Sequence, residues 1–385
     1  MEASRQIYLD YNATTPTAPA VIEAMLPFLG QSFGNPSSSH SFGQTGREAV
    51  DNARRQVADL LQVDAAEIAF TSGGTESNNL ALKGVALRRP PEARGHLVIS
   101  AIEHPAVLQP ARFLQWFGYR LTVVGVQPNG AVDPAQVEAA LQPDTILVSI
   151  MHANNEVGVI QPIAEIGRIC RAHGVICHTD AAQSVGKIRV CPRELEVDLL
   201  TIAGHKFYGP KGVGAIYIRQ GVELEPLLHG AAHERGLRAG TENVAGIVGL
   251  GQACAMAASD LASQSRRLEL LRDRLLSGLN KATGQNLPVN GAAAQRLPNT
   301  LSINFPAVSG HELLAAAPEI CASTGAACHA GESCRSATLA AMAVSEEAAR
   351  GTVRFSLGRF TDEQQVDQAV ALISKAWQRL RKTAH

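Results

Sequence analysis

The sequence has no strongly basic stretch, no uninterrupted apolar run of membrane-spanning length, no low-complexity tract and no internal repeat. Each absence removes a class of reading. Thirty-four Lys and Arg against 35 Asp and Glu leave a formal net charge of -1. Nothing electrostatic therefore draws the chain to nucleic acid or to an anionic membrane, and neither is expected as a partner. The opening residues, Met1 to Gln6, lack the apolar segment of a signal peptide, so a cytoplasmic location is expected. The seven cysteines (Cys170, Cys177, Cys191, Cys254, Cys321, Cys328 and Cys334) are odd in number and scattered. That argues for a reducing compartment and against a disulfide framework, with most of them small buried hydrophobes.

What is present is an ordinary globular composition, 45% hydrophobic and 18% charged, in a chain long enough to divide into two domains. From about residue 67 to 218, short β-rich runs alternate with helical patterns: Glu67 to Phe70, Leu97 to Ser100, Leu121 to Val126, Thr145 to Met151, Val175 to His178, Leu199 to Ile202 and Val213 to Ile218. Several are apolar on both faces, as strands between two helical layers are, so the expected class is α/β with a mainly parallel sheet. The spacing of Ala49, Val50, Ala53, Val57 and Leu60 predicts a sheet-covering helix over 44–61. After about residue 255 come a long charged helix (Leu261 to Lys281), a strand-like Leu301 to Phe305, and a last helix that Thr361-Asp362-Glu363-Gln364 can open as a capping box. The division expected is a large domain over 15–257 and a smaller α+β domain made of 1–14 plus 258–385. No Pro/Gly-rich linker marks the boundary.

Three segments carry chemistry. Phe70-Thr71-Ser72-Gly73-Gly74-Thr75-Glu76 reads as a strand end, a glycine turn and a helix start, a geometry that offers backbone N–H groups and hydroxyls to a phosphate. It matches neither the Walker nor the dinucleotide pattern, and alone it is equally a cap. His178-Thr179-Asp180 follows a central strand, where open α/β sheets bind ligands. Asp180 there is either a ligand group or a helix cap, and a metal on His178 and Asp180 lacks further ligands nearby. Lys206, in Gly204-His205-Lys206-Phe207-Tyr208-Gly209, is either a solvated loop residue or a desolvated amine of lowered pKa that can attack a carbonyl. Taken together, the three supply what pyridoxal 5'-phosphate (PLP) needs: a phosphate anchor, a carboxylate for the pyridinium nitrogen and an amine for the aldehyde.

The chain resembles the cysteine desulfurase and selenocysteine lyase family, a branch of the class V aminotransferase-like PLP enzymes of fold type I. The matching stretches run in family order from LDYNATTP (9–16) through GNPSS (34–38), FTSGGTESNN (70–79), EH (103–104), ANNEVG (153–158), HTDAAQ (178–183), GHKFYGPKGVGA (204–215), ERGLRAGTENV (234–244) and TGAACHAG (324–331) to RFSLGRFT (354–361). The resemblance implies that Lys206 holds the cofactor covalently, Asp180 pairs with the ring nitrogen, Gln183 contacts the ring's phenolic oxygen and His104 stacks on its face and carries protons. It implies phosphate contacts from Gly74, Thr75 and His205, joined by Thr241 from a second subunit of a homodimer. Asn155 would lie beside cofactor and substrate, and the planar fork of Arg354 suits the substrate carboxylate.

Cys328, in a small-residue segment 26 residues before Arg354, occupies the family's nucleophile position. Its thiolate would take sulfur from L-cysteine, leaving L-alanine and a persulfide for an acceptor or iron–sulfur scaffold protein. His329 is placed to lower the thiol's pKa where its ring approaches. The alternative within the family is a selenocysteine lyase, favoured by His329, by Phe207 after the lysine and by the apolar Ala203. The ERGLRAGTENV stretch and the 26-residue spacing favour the desulfurase. Two further readings are a non-catalytic sulfur-relay protein, against which Lys206, Asp180, His104 and Cys328 are all intact, and an aminotransferase for another amino acid, in which Cys328 has no task. Two departures from the family pattern concern cofactor affinity and loop geometry: Ala203 replaces a frequent phosphate-binding Ser, and a glycine triplet reads Gly230-Ala231-Ala232, followed by His233.

Overall fold

A computed structural model describes residues 6–324 and 335–383. Cys328, His329 and Cys334 lie outside the described residues. Strands β1 to β11 are Ile7–Tyr8, Ile68–Thr71, His96–Ser100, Arg120–Val124, Thr145–Ser149, Ile176–Asp180, Leu199–Ala203, Gly214–Ile218, Thr300–Asn304, Ile320–Cys321 and Thr352–Ser356. The first seven helices, α1 to α7, are Pro19–Leu29, Ser41–Leu61, Gly74–Leu87, Pro105–Gln115, Pro134–Ala140, Ile163–Ala172 and Val244–Thr283.

Seven strands form one sheet in the order β2-β8-β7-β6-β5-β3-β4. The pairings from β7 through β6, β5 and β3 to β4 are parallel, and only β8 runs antiparallel to its neighbours β7 and β2. Strands β2, β3, β5, β7 and β8 are buried at every position, which is why their residues read as apolar runs rather than as an alternation. One apolar cluster fills the face covered by α2, with Val50, Ala53, Val57 and Leu61 against Ile68, Val98, Val148 and Leu200. Another fills the opposite face, with Leu80, Leu82 and Val85 of α3 and Val107 and Leu114 of α4 against Leu97, Ile99 and Leu147. The sheet is thus the middle of three layers, and its strand C-termini open between helices.

A third cluster joins Ile7 and Leu9 to Leu268, Leu275, Leu301, Ile303, Phe355, Ile373 and Trp377. Its strands β9 and β11 pair antiparallel, Arg354 opposite Ser302, and β1 pairs parallel with β10. Two features of this region differ from the sequence reading. The helix expected over 261–281 is the second half of the 40-residue α7, which bends at Asp260 (φ -142°). Asp260 there takes both guanidinium nitrogens of Arg359 at 2.6 and 2.8 Å, so the helix runs on from one apolar cluster to the next through a bend. By length and composition α7 could cross a membrane, but half of its apolar stretch is buried against α1, α2 and the last helix, as a core helix is. That last helix, Glu363–Thr383, has its capping box one residue later than expected. Gln365 N–H donates to Asp362 at 2.7 Å and Asp362 N–H to the Gln365 side chain at 3.2 Å, while Thr361 accepts from Gly358 N–H instead.

Candidate active site

Between the strand C-termini and the β9/β11 pair lies a cavity of about 360 Å³, lined among others by Gly74, Thr75, His104, Asn155, Asp180, Gln183, His205, Lys206 and Arg354. That size is ordinary for a small-molecule site. Of the residues singled out in the sequence, these nine converge. Thr241 is exposed in the loop before α7 and does not line its own chain's cavity.

The phosphate-like corner is made by local backbone chemistry. Gly73 closes β2 onto α3 with φ 147°, a region side chains rarely adopt. The α3 N-terminus, starting at Gly74, so reaches the cavity with its first N–H groups. A Cβ on Gly74 would come within 3.3 Å of the Ala203 Cβ. His205 completes this corner: its Nδ1 lies 3.1 Å from the Thr14 hydroxyl. Burial first, then Lys206 and Lys211, lower its pKa to about 4, so the ring is neutral near pH 7 and keeps one N–H to donate.

Asp180 ends β6 at the cavity. It accepts from Asn78 Nδ2 at 2.7 Å and from the Ala182 N–H at 2.9 Å. Of its two open sequence readings, the helix cap is not formed as such, because turns and not a helix follow β6; the carboxylate holds the first of these turns through Ala182 and lines the cavity. Asn78 Oδ1 is buried with no partner among the described residues, a polar atom at the cavity wall. His178 is spoken for within the sheet, with Ser149 at 2.8 Å and Thr201 at 3.2 Å on its two ring nitrogens. His104 caps α4: its Nδ1 accepts from the Ala106 N–H at 3.1 Å, which leaves Nε2 as the protonated nitrogen of the neutral ring. Burial pushes its pKa down, Asp180 opposes that and Lys206 adds to it.

Lys206 follows β7 in a single tight turn. Its amine donates to the carbonyls of Asn12 at 2.9 Å and Ala13 at 2.8 Å. Burial and then Arg354 lower its pKa to about 8, against the pull of Asp180 and Asp10. Of the two readings open in the sequence, the half-buried position and the two carbonyl partners favour the desolvated amine. Arg354, from β11, donates to Asp10 at 2.6 Å and to the Asn155 carbonyl at 3.0 Å, and its buried Nε has no partner among the described residues.

Sequence reasoning missed Asn12 and Asn78. Both lie inside stretches quoted for the family resemblance, and Asn78 is one helical turn after Gly74, on the same face of α3. Asn12 is the hub of the cavity floor. Its carbonyl accepts from Gln183 and Lys206 at 2.9 Å each, and its amide donates to Thr300 at 2.8 Å and to the Asn155 carbonyl at 3.2 Å.

The residues present fit an anionic, phosphorylated aromatic aldehyde. An N–H-rich helix start, a carboxylate at a strand end, an amine of lowered pKa and an amide oxygen without a partner among the described residues surround one volume of suitable size. The family model described as Aminotransferase class-V matches residues 7–369. The chain belongs to the class-V aminotransferase family. Its members use PLP, so the chain is a PLP enzyme. The chain is 46% identical over 380 residues to the cysteine desulfurase IscS of Pectobacterium carotovorum subsp. carotovorum, covering 97% of this chain and 93% of that one. Among solved structures it resembles a NifS-like protein with a TM-score of 0.90 at 38% identity, covering 97% of this chain and all of that one. It also resembles SspA in complex with cysteine, with a TM-score of 0.82 at 38% identity, over 92% and 99% of the two chains.

Proposed function

We propose that the protein is a PLP-dependent cysteine desulfurase, converting L-cysteine to L-alanine and passing the sulfur to Cys328 as a persulfide. The observation that carries the reading is the convergence of Lys206, Asp180, His104 and Arg354 on one cavity. Likeness over nearly the whole chain to cysteine desulfurases supports it further. When bound, the cofactor supplies an electron sink for the bonds at the amino acid's Cα and Cβ. Lys206 holds the cofactor and, once free, takes the Cα proton on Nζ, a role for which a pKa near 8 suits an amine. Asp180, fixed by Asn78 and Ala182, pairs with the ring nitrogen and Gln183 with the ring oxygen. His104 stacks on the ring and carries protons at Nε2. Gly74, Thr75, His205 and the Thr241 of a second subunit hold the phosphate. Arg354, oriented by Asp10 and the Asn155 carbonyl, offers its remaining N–H groups to the substrate carboxylate. The Cys328 thiolate forms a bond to the substrate sulfur as the Cβ–S bond breaks. Its electron pair stays with the carbon fragment, which takes up protons to become alanine.

The acceptor of the persulfide is proposed to be a scaffold protein for iron–sulfur clusters, and the working form a homodimer. Ile22, Leu26 and Leu29 form an exposed apolar row at helical spacing on α1, and Phe33 and Phe42 are exposed with rings 5.5 Å apart, which supports a covered face. The β9/β11 region with its own apolar cluster is proposed as the second domain, with residues 258–385 and 1–14.

Alanine release from L-cysteine and from L-selenocysteine, measured side by side, tests the substrate. Release from selenocysteine alone would replace the desulfurase by a lyase. Cys328→Ala should retain the cofactor's absorbance and lose the persulfide; full desulfurase turnover in that variant would overturn the role of Cys328.

A further inference from the structure

Behind the cavity wall stands a second lysine that the reaction as derived does not use. Lys187 lies four residues after Gln183, in the turns that follow β6, and is only 6% exposed. Its amine donates to Gln183 Oε1 at 2.7 Å and to Asn12 Oδ1 at 3.2 Å. Among the described residues no carboxylate bonds to it. Burial, Lys206 and Arg354 all push its pKa well down. Burying an amine in this way is costly, and an apolar side chain of similar length would fill the same space without that cost. What the amine does that an apolar chain cannot is donate. The two ends of the Gln183 amide have the same shape and opposite hydrogen-bonding character. Both contacts of the Lys187 amine are donations, and the one to Gln183 holds the amide oxygen on the lysine's side. Gln183 Nε2 is thereby turned to the Asn12 carbonyl, 2.9 Å away, with its other N–H left for the cavity that Gln183 lines. Asn12 is pinned in the same way, because its Oδ1 accepts from Lys187 and from Asn299. Its carbonyl also receives Lys206.

We propose that Lys187 is a positioning residue for the cofactor's ring oxygen: it locks the Gln183 amide so that an N–H, and not a carbonyl oxygen, faces that oxygen. The proposal rests on the PLP reading and deepens it. A donor to the ring oxygen stabilises its anion. Removing the donor raises the affinity of the oxygen and the neighbouring lysine-linked nitrogen for the proton they share.

The test is the pH midpoint of the holoenzyme's visible absorption change, with no substrate present. Lys187→Met should raise that midpoint by about one pH unit, the size of a lost hydrogen bond to a charged group. Gln183→Ala should raise it by a similar amount, and Lys187→Met added to Gln183→Ala should move it no further. An unmoved midpoint in Lys187→Met would overturn the proposal. So would a shift that persists in the Gln183→Ala background, because the lysine's charge would then act without Gln183. Should Lys187→Met fail to fold or to take up PLP, Lys187→Gln decides: it keeps a donor without the charge and should hold the midpoint near that of the unaltered protein. A midpoint raised by about one unit in Lys187→Gln would equally overturn the proposal. Failure of the PLP reading itself looks different, since the unaltered protein would then have no visible chromophore.

Discussion

Arg354 and Asp10, 344 residues apart in the chain, are joined by a 2.6 Å charge-assisted hydrogen bond at the cavity wall. The guanidinium is nearly buried, at 7% side-chain exposure, and its Nε has no partner among the described residues. A carboxylate entering the cavity therefore meets a cation already oriented by Asp10 and the Asn155 carbonyl, with donor capacity to spare. Arg354→Lys keeps the charge and loses the planar fork. We expect kcat/KM for L-cysteine to fall about 10- to 100-fold, mostly through KM, because two parallel hydrogen bonds become one. Steady-state kinetics on holoenzyme of unchanged absorbance check this, and an unaltered KM would remove Arg354 from carboxylate binding.

The lowered pKa of Lys206 has a kinetic signature in cofactor-free protein. Only the neutral amine attacks an aldehyde, and the neutral fraction grows as pH rises through the pKa. With that pKa at about 8, the rate of PLP uptake should rise with pH and level off above about 8. An ordinary lysine would go on gaining to near 10.4. Stopped-flow absorbance after mixing with PLP measures it, and continued acceleration well beyond pH 9 would contradict the desolvated amine. Lys206→Ala should bind PLP only reversibly and lose at least about 100-fold in turnover.

These two residues also show how far the sequence could be read. Five of the sheet's seven runs were legible because strands buried on both faces cannot alternate, and all seven expected runs became β2 to β8. Lys206 and Asp180 were legible as partners because each follows a strand at the ligand-binding end of a parallel sheet. The bend of α7 at Asp260 was not legible, since the Arg359 that holds it lies 99 residues away. Neither was Asn12, whose importance lies in carbonyl and amide contacts to residues 143 to 288 positions distant. A backbone carbonyl has no sequence signature. Lys187 was overlooked because a lysine reads as solvated until its burial is seen.

Ala203 offers a gain rather than a loss. It ends β7 at the cavity, its Cβ beside the place a Gly74 side chain would take at the start of α3. A hydroxyl there points to the corner where Gly74, Thr75 and His205 meet. Ala203→Ser should tighten PLP binding about 3- to 10-fold, the value of one added hydrogen bond. Equilibrium titration of cofactor-free protein with PLP reads the change. Weaker binding in a folded Ala203→Ser variant would mean that the phosphate is held elsewhere in the cavity.

Glu103 precedes His104 and is fully enclosed. Its Oε1 accepts from the Ser100 hydroxyl at 2.5 Å and the Met151 N–H at 2.8 Å, while Oε2 has no partner among the described residues. Burial pushes its pKa up to about 8, so it is protonated in the folded protein near pH 7. The unfolded chain's Glu103 ionises above about 4.3. Folding then holds a proton that the unfolded state has released, and stability falls as pH rises from about 4.3 to about 8. Glutamine keeps an acceptor for Ser100 and Met151 and cannot ionise. Glu103→Gln should therefore match the unaltered protein near pH 4 to 5 and become the more stable of the two toward pH 8, by roughly 3–5 kcal/mol at most. Urea unfolding of the two cofactor-free proteins across this range checks it. A stability difference that stays constant with pH would show that Glu103 is ionised in the folded state and has a charge partner of its own.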